Sequence, residues 1–248
     1  MRRPSQEKAG VRHLDRAVNI RVIPNAESYG ASRDVDGLKT ISCPADVYRR
    51  LMGVDPEAAR IDSDDAFDRH VIACIVSVAA SEPGALTERL GLTREGLEAL
   101  RANYFGDCDL ELQDDDGAAN AADAEESQLV RDILLEHLSP QDQQGRLLAA
   151  MIARRALEPN HLWEDLGLRN RAELTRLMER RFASLAARND KNMRWKRFIY
   201  RLMCENDGFV MCATPVCTNC ADYLTCFGEE TGISRLSSAL AQGDPPSV

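Results

Sequence analysis

Shifted along itself by 76 residues, the chain meets its own pattern, and this self-match constrains the fold more than any other feature of the sequence. Ala73 falls on Ala149, Glu82-Pro83 on Glu158-Pro159, Leu86 on Leu162, and Leu90-Gly91-Leu92 on Leu166-Gly167-Leu168. After a one-residue insertion, Leu97, Leu100 and Phe105 fall on Leu174, Leu177 and Phe182. Each copy predicts a long helix, a Pro turn, a short helix ended by Gly, and a further helix. Two origins give such a pattern: duplication, or coincidental likeness between Leu-rich helices. Strand signals are weak throughout, so the expected fold is all-α, a helical bundle of two similar helix-turn-helix units with a C-terminal cysteine-rich metal-binding loop. Paired helical units also suit a DNA reader, but the first copy lacks a strongly basic recognition helix, which argues against that use.

The long helices are marked by periodicity and caps. Residues 63–80 place Phe67, Val71, Cys74, Ile75 and Val78 on one stripe, and Glu82-Pro83-Gly84 stops the run. The second is predicted to open with Ser139 as N-cap and Pro140 at the first helical position, with Leu147, Leu148, Met151 and Ile152 as its apolar face. A last helix is predicted over 190–204, where Trp195, Phe198, Ile199 and Leu202 recur at helical spacing. Residues 1–40 read as a flexible N-terminal arm, 41–228 as one helical domain and 229–248 as a flexible C-terminal tail. Within the domain, 109–126 carry eight acids and no base, the signature of a solvated linker or loop, and 204–228 form a cysteine segment.

That segment runs Cys212-Ala-Thr-Pro-Val-Cys217-Thr-Asn-Cys220-Ala-Asp-Tyr-Leu-Thr-Cys226, a C-x4-C-x2-C-x5-C spacing. Structural zinc sites commonly pair two C-x2-C knuckles a dozen or more residues apart. Only one such knuckle is present, closely flanked by the other two cysteines. An iron–sulfur cluster is larger than a single ion, so one loop can travel around it, and the opening C-x4-C-x2-C echoes plant-type ferredoxins. Spacing alone leaves three readings: a cluster, zinc, or a loop of free thiols.

Neighbouring residues narrow the choice. Trp195-Lys196-Arg197-Phe198, Cys204-Glu205, Gly208-Phe209, the cysteine run and Cys226-Phe227-Gly228 together resemble the NifQ family of nitrogen fixation, and residues 158–168 are similar to it as well. The resemblance covers about residues 60–230. It implies a molybdenum–iron–sulfur cluster held by Cys212, Cys217, Cys220 and Cys226, an iron–sulfur precursor charged with molybdenum from molybdate. It further implies a molybdenum donor for the iron–molybdenum cofactor of nitrogenase, with the cofactor scaffold and the nitrogenase reductase as partners. On this reading the protein is a carrier and not an enzyme. The alternatives are an iron–sulfur electron-transfer protein and a zinc-stabilised helical interaction module.

Further residues have both a functional and a plain reading. Cys204 and His161 are candidate auxiliary ligands; a buried thiol and a turn histidine are the plain versions. His70 is a weaker imidazole candidate, with a surface role as its plain reading. Between Arg169 and Arg201 lie eleven Lys/Arg and three acids, suited to steering molybdate or to a solvated helix face. The net charge of −9 argues against nucleic-acid and anionic-membrane partners. No apolar run approaches the ~20 residues of a membrane span, and no secretory signal opens the chain, so a cytoplasmic location with reduced thiols is expected. No phosphate loop, nucleophile elbow or catalytic triad is present.

Overall fold

The computed structural model describes residues 43–106, 121–206, 208 and 216–238. The expected arm at 1–40, the acidic stretch 109–120 and the chain beyond residue 238 lie outside the described residues, as do Cys108 and Cys212. Among the described residues there are twelve α-helices and no strand.

Two repeats carry the same four elements in the same order. The first is α1 (Pro44–Met52), α2 (Asp64–Ala80), α3 (Leu86–Leu90) and α4 (Arg94–Tyr104). The second is α5 (Ala121–Glu136), α6 (Gln143–Arg155), α7 (Leu162–Asp165) and α8 (Arg171–Arg181). Local chemistry repeats too. In each copy the glycine after the short helix adopts a left-handed conformation, φ 63° at Gly91 and 71° at Gly167. Each turn is closed by the same two bonds, Gly91 N–H to Glu88 O with Leu92 N–H to Thr87 O, and Gly167 N–H to Glu164 O with Leu168 N–H to Trp163 O. A side chain caps the helix that follows: Thr93 Oγ1 accepts from Gly96 N–H and Asn170 Oδ1 from Glu173 N–H.

The repeats interlock reciprocally. A Cβ on Gly91 would lie 2.8 Å from Arg154 Cβ and 3.2 Å from Ala150 O on α6. A Cβ on Gly167 would lie 2.7 Å from Val78 Cγ2 and 3.0 Å from Cys74 O on α2. Residues 74 and 78 correspond to 150 and 154 under the 76-residue shift, so each turn docks at the equivalent place on the other repeat's long helix. Both glycines are needed twice, for backbone sign and for space. The repeat visible in the sequence is thus a repeat of structure and of packing.

One continuous apolar core spans both copies, including Tyr48, Phe67, Ile75, Leu90 and Leu100 with Met151, Ile152, Leu166, Leu177 and Phe182. The expected stripe on α2 understates its burial. His70, Ile72, Ala73, Val76, Ser77 and Ala79 are buried along with the predicted face, so α2 is enclosed on every side. Ion pairs tie the copies at their Glu-Pro turns. Arg155, fully buried, makes two hydrogen bonds to the Glu82 carboxylate at 2.6 and 2.8 Å and a third from Nε to Asp165 O at 2.9 Å. Burial alone would raise the Glu82 carboxyl; Arg155 and Arg235 beside it bring it below its ordinary value.

Several boundaries differ from the sequence reading. Residues 121–126, expected within an acidic linker, form the opening turns of α5, and Tyr200 donates to Glu126. Helix α6 is capped by Asp142, whose Oδ1 accepts from Gly145 N–H at 2.6 Å, while Ser139 N–H is bound to Arg181 O. A short helix α9 (Ala183–Arg188) intervenes before α10 (Trp195–Asn206). Helix α10 cannot begin at Asp190 because Asn189 holds Met193 by two side-chain bonds, and Asn192 sits at φ 54°. Two short helices follow, α11 (Tyr223–Phe227) and α12 (Arg235–Ser238).

The largest departure concerns the expected flexible tail. Residues 229–238 lie docked along the helical body as a strap. Leu236 and Ser234 are buried, Arg235 pairs with Glu82 at 2.6 Å and Asp165 at 3.5 Å, and Ser237 donates to Glu57. Glu230, with its side chain 4% exposed, is paired with Arg171.

Candidate metal centre

The described part of the thiol segment, residues 216–227, joins the helical body at α11. A single 3-10 turn over Cys217–Asn219 is closed by Asn219 N–H to Val216 O and Cys220 N–H to Cys217 O. The chain then turns again, Tyr223 N–H bonding to Cys220 O, and enters α11, in which Cys226 is the last residue but one. Cys217, Cys220 and Cys226 are half-buried free thiols. Cys226 and Phe227 pack against the core, whereas Val216, Thr218, Asn219, Ala221 and Asp222 around the other two thiols are exposed.

The return to the body is made by Arg194. Its backbone N–H donates to Cys226 O at 2.8 Å. Its guanidinium donates from Nε to Gly228 O at 3.2 Å, from Nη1 to Thr225 O at 3.3 Å and from Nη2 to Glu229 O at 2.8 Å. These are carbonyls that a five-residue helix cannot satisfy internally. Arg197 reaches Asp222 at the other end of α11, at 4.0 Å. Gly228 makes the approach possible, since a Cβ there would sit 2.4 Å from Leu224 O and 3.0 Å from Arg194 Nη2. A cleft of about 390 Å³ opens beside this junction, lined by Arg171, Asn192 and residues 227–231.

Of the four cysteines read from the sequence as ligands, three share this segment and Cys212 lies outside the described residues. Among the described residues no three His, Cys, Asp or Glu side chains converge closely enough to hold a metal ion. The donor set nonetheless fits a sulfur-ligated cargo: soft thiols, unpaired in disulfides and partly open to solvent.

The auxiliary candidates fall elsewhere. Cys204 is a half-buried free thiol in the last turn of α10. His161 is the N-cap residue of α7; its backbone N–H donates to Glu164 Oε2, and its ring lies 3.9 Å from Glu230 on the strap. His70 is wholly buried, not a surface residue: Nδ1 meets Tyr48 Oη at 2.6 Å and Nε2 meets Glu173 at 3.3 Å. Cys74 packs beside that ring, and burial pushes its thiol well up. The basic run is largely consumed by ion pairs. Arg180 pairs with Asp64 and Asp68, Arg181 with Asp68 and Asp142, Arg169 with Glu173, and Lys196 with Asp165. Arg176 lies over the Phe67 ring, 4.0 Å from its centroid. These residues of the run are taken up in ion pairs and do not form the solvated helix face expected. Sequence reasoning missed Arg194, Arg171 and Glu230; for the first, the one signal was its place directly before the Trp195 stripe.

Comparison with known proteins places this segment at the end of a recognised domain. The profile of the family described as NifQ matches residues 71–228. The chain is 37% identical over 177 residues to a protein named Protein NifQ homolog from Sinorhizobium fredii, covering 70% of this chain and 77% of that one. It is 39% identical over 147 residues to Protein NifQ of Rhodobacter capsulatus, covering 59% and 80%. Against Protein NifQ of Azotobacter vinelandii the figures are 42% over 101 residues, 41% and 52%. No solved structure matches.

Proposed function

The chain belongs to the NifQ family, a family of nitrogen fixation, and from that premise we propose that it carries molybdenum within an iron–sulfur cluster and supplies it for assembly of the iron–molybdenum cofactor. The observation that carries this reading is the thiol segment itself: three free cysteines within ten residues, two on exposed turns and one on a helix anchored to the body. Cys217, Cys220 and Cys226, with Cys212, are the proposed ligands, and Cys204 and His161 remain proposed auxiliaries. Thiolate surroundings hold molybdenum in a softer, reduced form than the hard oxyanion molybdate. The protein's part is to present the sulfurs, to keep them on a segment that can open, and to let the cargo go. The receiving partners are proposed to be the cofactor scaffold and the nitrogenase reductase, and the site of action the cytoplasm, where thiols stay reduced. No helix among the described residues is long and apolar enough to cross a membrane.

Metal analysis of protein purified without oxygen tests the proposal. Iron and molybdenum together in a coloured protein are expected, and Cys217→Ser should lose both. Zinc in a colourless protein, or iron without molybdenum, overturns the carrier reading.

A further inference from the structure

We infer that Arg194 is a positioning residue for the thiol segment: it makes Cys226 the fixed ligand about which the outer thiols turn. This rests on the carrier reading above. Cys226 is the one thiol of these three on an α-helix, and the C-terminal end of that helix is held by Arg194 together with the packing of Cys226 and Phe227 against the core. Arg194 reaches four backbone carbonyls of residues 225, 226, 228 and 229, one from its own amide and three from its guanidinium. A guanidinium presents five N–H groups in one plane, so it can span a fan of carbonyls that a lysine ammonium meets only singly. Positive charge at a helix C-terminus is favourable in its own right. The contact is built on both sides, because Gly228 leaves room for Leu224 O and for the guanidinium where any Cβ would collide.

Among the described residues, no side chain fans across the carbonyls of the Cys217 and Cys220 turns in this way. Cys217 and Cys220 sit on successive turns whose other residues, Val216, Thr218, Asn219, Ala221 and Asp222, are all exposed. The segment is therefore asymmetric, moored at Cys226 and outlying at Cys217 and Cys220.

The test uses reduced, metal-free, full-length protein and pulse alkylation with iodoacetamide, read cysteine by cysteine by mass spectrometry. In Arg194→Met the Cys226 rate should rise about tenfold, the scale expected for losing charge-assisted hydrogen bonds that hold a local structure shut. Cys217 and Cys220 should stay within about twofold of wild type, since their turns are closed by their own backbone bonds. Arg194→Lys should restore only part of the Cys226 protection. Gly228→Ala, which displaces the guanidinium without removing its charge, should reproduce the selective rise and serves as a second route if Arg194→Met folds poorly. Unchanged Cys226 protection in both variants overturns the inference, as does an equal rise at all three thiols. The carrier reading is judged separately by the metal content of the wild type. A wild type without molybdenum defeats that reading and leaves the alkylation result standing; a loaded wild type with no Cys226 effect defeats only the role of Arg194.

Discussion

Replacing Gly167 with alanine should destabilise the protein by more than backbone strain alone. Gly167 sits at φ 71°, and moving an L-residue into that region costs about 1–2 kcal/mol. Its added Cβ would also meet Val78 Cγ2 at 2.7 Å and Cys74 O at 3.0 Å. One of those atoms is backbone of the enclosed helix α2 and cannot swing aside, so an overpacking cost of about 1–3 kcal/mol is added. The expected total is about 3 kcal/mol, or about 6–12 °C in Tm for a chain of this size. Gly53 supplies the control. It has φ 74° with nothing within 4 Å of an added Cβ, so Gly53→Ala should incur only the backbone part, about 1–2 kcal/mol. Urea unfolding of both variants, followed by far-UV circular dichroism, separates the two contributions. Gly91→Ala should behave as Gly167→Ala does, because its Cβ would meet Arg154 Cβ at 2.8 Å and Ala150 O at 3.2 Å. If Gly167→Ala and Gly53→Ala shift the midpoint equally, the reciprocal docking is looser than described and the reasoning fails.

Arg155→Met should cost about 2–3 kcal/mol, because it removes two charged hydrogen bonds from the nearly buried Glu82 carboxylate, which keeps Arg235 beside it, and strands the Asp165 carbonyl. The double variant Arg155→Met with Glu82→Gln should recover a substantial part in a thermal melt; equal losses in single and double variants would refute the pairing. Acid should destabilise the fold through Glu82 and Glu173. Burial would raise both carboxyls, but Arg155 and Arg235 at Glu82, and His70 and Arg169 at Glu173, bring them below their ordinary value. Their contribution is then fully present above the unfolded value of about 4.3 and is lost as pH falls through the lower folded values. Urea midpoints measured from pH 6 downward should decline in that window, and less steeply in Glu82→Gln; a flat profile would contradict the assignment.

What could be read from the sequence was what is encoded locally. Leu-Gly-Leu after a short apolar run and Glu-Pro after a long one specify turns within a few residues, so the repeat and the all-α class were visible in letters alone. The cysteine spacing was visible for the same reason. The fate of the basic residues was not, because pairing depends on which distant acid arrives. Arg180 and Asp68 are 112 residues apart, and nothing near Arg180 announces the contact. The strap was missed likewise: Leu236 and Arg235 look like part of a polar tail until the fold supplies a groove, Glu82 and Asp165. Arg194 was hidden among ten other basic residues of its stretch, since its work is done on carbonyls, which leave no trace in side-chain pattern.

The reciprocal seating of Gly91 on α6 and Gly167 on α2 is the geometry that two separate copies of one unit would adopt about a twofold axis, each offering the same patch to the other. A single chain that carries both copies has that pairing built in, with no second molecule required and no dependence of its pairing on concentration. It also breaks the equivalence that a true pair would keep. The cysteine run follows the second copy alone, so each folded chain carries one thiol segment and not a symmetric pair.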